Sequence, residues 1–137
     1  MNILVPLVGD LFHYGHVNLF KNIKTKYPDS NIIIGLHTDL SVSKYKRIPI
    51  LTYNERYKII ESCKYVCTII EFDSETTIDN NYLKKNRIDL VVHAHNNTPE
   101  ENEKYKQLWK NIPNQFERFD YTKDISTTQI INRILKT

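Results

Sequence analysis

Ile3-Leu-Val-Pro-Leu-Val-Gly-Asp-Leu-Phe-His-Tyr-Gly-His16 is the stretch whose reading decides the fold. Residues 3–8 form an apolar run with the character of a buried strand, and Gly9 and Asp10 interrupt it. From Tyr14 the period changes: Val17, Leu19, Phe20, Ile23 and Tyr27 recur at helical spacing over residues 14–26. Residues 31–37 are apolar again and rich in β-branched isoleucine, so the chain opens strand, helix, strand.

The alternation continues outward. A basic loop at residues 44–47 precedes an expected helix over 53–62, a strand over 65–72, a helix over 78–86 and a strand over 88–93. A polar segment at 96–103, a helix at 103–110, a short strand at 115–119 and a last helix from Ser126 complete the pattern. Near-continuously apolar strands separated by helices are buried on both sides, because parallel strands need crossover connections that cover the sheet. The expected architecture is α/β: a Rossmann-like, doubly wound, five-stranded parallel sheet with helices on both faces, forming a single domain over residues 1–137. In such sheets ligands bind beyond the carboxyl ends of the strands, at the switch point.

Composition narrows the function classes. A length of 137 residues gives one core and no room for a second catalytic domain. The mean hydropathy is -0.50, and no apolar run approaches the roughly 18 residues that a membrane span needs. The apolar start lacks a basic leader and meets Asp10 too soon for a signal peptide, so a cytoplasmic protein is expected. Cys63 and Cys67 make no disulfide framework and supply half of any zinc set, which fits a reducing compartment. A net charge of +3, with 19 Lys and Arg against 16 Asp and Glu, argues against a nucleic-acid partner. With three glycines in the chain, each one present invites a backbone reason.

Two segments carry chemistry. His13-Tyr-Gly-His16 opens the first helix straight after the first strand, gathering two imidazoles and several unpaired backbone N–H groups where the helix dipole favours an anion. A turn with two solvated histidines is the plain alternative, and the position after the first strand favours a phosphate site. Ser126-Thr-Thr128 begins the last helix; Ser126 is an N-cap, and three hydroxyls at a helix N-terminus can also donate to phosphate oxygens.

Together these segments resemble the His-x-Gly-His nucleotidyltransferase superfamily, and within it the catalytic domain of phosphocholine and phosphoethanolamine cytidylyltransferases. The smaller glycerol-3-phosphate cytidylyltransferases are similar too. The likeness runs through Asp10 to His16, residues 27–39, Asn54-Glu-Arg-Tyr57 with Cys63-Lys-Tyr-Val66, residues 86–93, and Ile125-Ser-Thr-Thr with Ile-Ile-Asn-Arg-Ile134. The resemblance implies transfer of CMP from CTP to a phosphorylated alcohol with release of pyrophosphate, by in-line attack without a covalent intermediate. It makes His13, His16 and Lys46 the catalytic residues. Val8, Gly9, Asp10, Gly15, His93, Lys123, Ser126, Thr127 and Thr128 would bind nucleotide and phosphate. Asp10, Arg56 and Lys64 would meet the acceptor. It also implies Mg2+ brought with the nucleotide and a homodimer. Because residue 137 follows closely on Ile134, no regulatory membrane-binding helix is expected.

Several positions depart from the family pattern. A glycine of the family falls at Leu7, a phosphate-binding arginine at Tyr121, a second glycine at Asp124, and an acidic pair at His95-Asn96. Lys123 or Arg118 could replace the arginine's charge. The tryptophan expected of choline-specific members is absent, the single Trp being Trp109, which disfavours choline relative to a primary amine or a polyol. A nucleotide-binding remnant with little turnover and an adenylyltransferase of the same superfamily are the alternatives.

Overall fold

A computed structural model describes residues 1–44 and 47–137. Five strands form one parallel sheet: β1 (Asn2–Leu7), β2 (Asn31–His37), β3 (Val66–Phe72), β4 (Leu90–Ala94) and β5 (Phe116–Phe119), in the order β3-β2-β1-β4-β5. Sequence order reverses between β1 and β4, which makes this pair the switch point. The two strands pair only at Ile3 with Leu90 and Leu4 with Val91. Pro6, which has no N–H to give a ladder, lies beyond the last β1–β4 pairing, so the two strands part toward the carboxyl edge of the sheet, where a switch point is expected to bind ligand.

Alternation along the strands sorts the core into two layers. Ile3, Val5, Ile32, Ile34, Leu36, Leu90 and Val92 face Leu19, Phe20 and Ile23 of helix α1 (Tyr14–Lys26) and Ile60 of helix α3 (Tyr53–Glu61). Leu4, Phe72 and Val91 face the other way, against Leu83 of α4 (Asn80–Asn86) and Tyr105 of α5 (Pro99–Leu108), with Trp109 and Ile112 completing that layer. Each fully buried aliphatic or aromatic side chain contributes roughly 1.5–3 kcal/mol, so both faces are held and neither layer is an accessory.

Two elements differ from the sequence expectation. Residues 39–43 form a short helix, α2 (Asp39–Ser43), capped by the Thr38 hydroxyl accepting from Ser41 N–H. Helix α5 starts at Pro99, four residues before its expected beginning, because Thr98 caps it and Pro99 with Glu100 and Glu101 suits a first turn. The last helix, α6 (Thr127–Leu135), is capped by Ser126 and contains no buried residue. Among the described residues no helix is long and apolar enough to cross a membrane.

Candidate active site

The chain leaves β1 through Val8, and Gly9 takes a left-handed backbone (φ 67°). A Cβ on Gly9 would stand 2.7 Å from Ile60 Cδ1, so a side chain there would strain the backbone and displace the end of Ile60. Leu11 follows in the same region (φ 48°), a conformation that costs an L-residue about 1–2 kcal/mol and that turns the chain into the N-terminus of α1.

His13 is the N-cap of α1, and the two histidines form a reciprocal capping pair. Gly15 N–H donates to His13 Nδ1 at 3.0 Å, and His13 N–H donates to His16 Nδ1 at 3.1 Å. A nitrogen that accepts a backbone N–H carries no proton, so each neutral ring holds its proton on Nε2. The ring centroids are 4.0 Å apart, and Phe12 stacks on His16 at 5.2 Å with an 8° interplanar angle. Burial and the neighbouring His13 push His16 down to about 3, and burial also lowers His13. Both rings are therefore neutral near pH 7, each presenting one Nε2–H donor. Gly15 is required between them, since a Cβ there would lie 2.8 Å from His13 Cε1.

Asp10 does not face an acceptor as expected. The residue is 5% exposed, and its carboxylate accepts Ile50 N–H and Leu51 N–H at 2.9 Å each, fastening the segment after the basic loop against the start of the histidine turn. Its backbone carbonyl receives the Thr127 hydroxyl at 2.9 Å. That bond brings the N-terminus of α6 to the histidine turn, where Ile125 also packs against Gly15. Thr127 thus uses its proton internally, and Ser126 Oγ accepts from Gln129 N–H at 3.1 Å while keeping its own proton. Thr128 and Lys123 are exposed at the same helix start.

The remaining expected residues are placed differently. Arg56 is fully buried and so cannot touch an acceptor; it donates to the carbonyls of Val8 (2.6 Å), His37 (2.9 Å) and Leu51 (3.2 Å) and to Asp39 Oδ1 (2.6 Å). Lys64 precedes β3, at the amino end of the sheet and hence opposite the carboxyl edge, with its ammonium over the Tyr65 ring. Arg118 donates from one terminal nitrogen to the His95 carbonyl (2.9 Å) and to Asp120 Oδ1 (2.6 Å). Lys46 lies outside the described residues. At the end of β4, His93 Nδ1 meets His95 Nδ1 at 3.3 Å, and both rings lie against Tyr105. Asp124, where the family pattern has glycine, keeps a left-handed backbone (φ 67°), so the turn into α6 persists without the glycine. Sequence reasoning missed the linking roles of Leu51 and Asp39, which lack any local signal.

No described carboxylate stands ready to cage a magnesium ion beside the two histidines, and among the described residues no group of three or more His, Cys, Asp or Glu side chains is arranged to hold one. An ion here would be held by phosphate oxygens and water, and nothing in the chemistry below is routed through it.

A sequence model of the Cytidylyltransferase-like family matches residues 10–133. Choline-phosphate cytidylyltransferase A of Mus musculus is 30% identical over 131 residues, covering 94% of this chain and 35% of its own. Choline-phosphate cytidylyltransferase 2 of Arabidopsis thaliana is 31% identical over 132 residues, 94% of this chain and 43% of its own. A probable ethanolamine-phosphate cytidylyltransferase of Encephalitozoon cuniculi is 27% identical over 126 residues, 92% of this chain and 38% of its own. The chain thus spans well under half the length of these curated relatives. Among solved structures, a lipopolysaccharide core biosynthesis protein from Thermoplasma volcanium superposes with a TM-score of 0.67 at 19% identity, covering 91% of this chain and 98% of its own, and it shares the fold.

Proposed function

Because the chain belongs to the cytidylyltransferase-like family, we propose that it transfers CMP from CTP to a phosphorylated alcohol of the phosphoethanolamine, phosphocholine or glycerol-3-phosphate kind, releasing pyrophosphate. One observation carries the reading. The Nδ1 atoms of His13 and His16 are both committed to backbone N–H groups, which leaves two neutral Nε2–H donors side by side at a helix N-terminus on the carboxyl edge of the sheet.

In this reading an oxygen of the acceptor's phosphate attacks the α-phosphorus of CTP in line. A P–O bond forms to the acceptor as the bond to the β-phosphate breaks, and pyrophosphate carries the electron pair away. The protein contributes position and charge stabilisation. His13 and His16 donate to the α-phosphate oxygens where negative charge grows. The Ser126 hydroxyl and the first turn of α6 receive the β- and γ-phosphates, and Lys46 approaches the α-phosphate from the basic loop. A homodimer and a cytoplasmic setting belong to the same proposal.

Incubation with each of the four nucleoside triphosphates, magnesium and a panel of phosphorylated alcohols, followed by pyrophosphate assay, tests it. Release is expected with CTP and at least one acceptor, and His16→Ala should lower kcat at least about a hundredfold. Nucleotide binding without release from any pair would instead establish a binding protein that has lost turnover.

A further inference from the structure

Arg56 sits in the middle of α3, fully buried, and every hydrogen bond it makes goes to the carboxyl edge of the sheet. Its guanidinium reaches Val8 just past β1, His37 at the end of β2, and Leu51 at the exit of the basic loop. Its fourth contact, Asp39 Oδ1 at 2.6 Å, is shared, since Asp39 Oδ2 accepts Tyr53 N–H at 3.3 Å. Leu51 is consequently fixed on both sides of its backbone: its N–H by Asp10 and its carbonyl by Arg56. Asp10 lies three residues before His13 and Val8 five, so one residue of the loop exit is tied twice to the histidine turn.

We propose that Arg56, with Asp39, is a positioning residue for the transfer reaction: it touches no substrate, and it holds residues 47–51 in register with the His13/His16 pair. The inference rests on the cytidylyl-transfer reading of the site. All three guanidinium nitrogens are used on the four acceptors, and a lysine ammonium, with three donors and no fork, cannot serve all of them. The cluster lies where two phosphate-contacting segments must be set within a fraction of an ångström, and a misplacement of about 1 Å can lower a rate on the order of a hundredfold.

The test compares the intact chain with Arg56→Lys, which retains the charge and the stem, and with Asp39→Asn, which removes the ion pair and leaves the three carbonyl bonds. Turnover per active site is measured with CTP and an acceptor that the unaltered protein uses, after counting folded sites by single-turnover reaction. The expected result is a roughly 30- to 100-fold fall in kcat for Arg56→Lys with KM for CTP changed less than about threefold, and a fall of about three- to tenfold for Asp39→Asn. Equal kcat per folded site in both variants would show a purely structural role and overturn the proposal. Should Arg56→Lys not fold, Asp39→Asn decides by the same criterion. Side-chain nitrogen NMR of His13 and His16 gives a readout independent of turnover. Both rings should carry Nε2–H in the unaltered protein and shift in Asp39→Asn, and unchanged signals overturn the inference even if no nucleotide and acceptor pair reacts, an outcome that by itself would defeat only the cytidylyl-transfer reading.

Discussion

A histidine pair that keeps its protons on Nε2 makes the site sensitive to acid. The unfolded chain binds a proton at each imidazole near pH 6.5, while His16 in the fold resists protonation down to about 3 and His13 is lowered as well. Between those limits the unfolded state holds more protons, so stability is full above about pH 6.5 and declines as pH falls toward 3. In His16→Asn the amide oxygen can take the place of Nδ1 as acceptor for His13 N–H. Urea unfolding at pH 7 and pH 5 should show a smaller acid loss for this variant than for the unaltered chain, and equal losses would refute the neutral-imidazole assignment. The two histidines could be picked out in the sequence from their place after the first strand. Their protonation could not, because it follows from which backbone N–H each ring accepts. Arg56 could be picked out through the resemblance, as an acceptor ligand, but its buried place could not, because its four partners are assembled from three other segments.

At the level of elements, α6 is the part most loosely joined to the rest. It has no buried residue, Ile134 and Leu135 are largely exposed, and its start is pinned by the Thr127 hydroxyl on the Asp10 carbonyl. Thr127→Val keeps the shape of the side chain and deletes the donor, which should reduce stability by about 1 kcal/mol in urea unfolding. It should also lower kcat/KM for CTP at least about tenfold, since the first turn of α6 would no longer be held to the histidine turn; unchanged kcat/KM would remove α6 from the phosphate site. The long amphipathic helix α1 was read from its period at the bounds the structure shows. Helix α2 was missed because five residues offer too little periodicity, although Thr38-Asp39 is a fair N-terminal signal. The start of α5 was legible in Thr98-Pro99-Glu100-Glu101 and was overlooked because the segment is polar throughout.

For the molecule as a whole, the two-layer core and the outlying helix imply graded stability. Backbone amides of β1 and β2, the two strands at the centre of the core, should exchange hydrogen only on global unfolding, whereas those of residues 130–133 in α6 should exchange by local opening at least about a hundredfold faster. Exchange of α6 together with β1 would show a single cooperative unit. The five-stranded parallel sheet was foreseeable, since alternating apolar strands and helices leave few topologies, while the order of its strands comes from the structure. The links that close the site were not, because they join residues 40, 41, 48 and 117 positions apart. The last of these has a temporal meaning. On a translating ribosome the strands β1 to β4 and the helices between them emerge first, and the histidine turn can form with them, yet the hydroxyl that meets Asp10 belongs to residue 127. Until that residue leaves the exit tunnel the nascent protein holds half of the proposed anion site, so competence to bind triphosphate should arrive abruptly, once residue 127 has emerged.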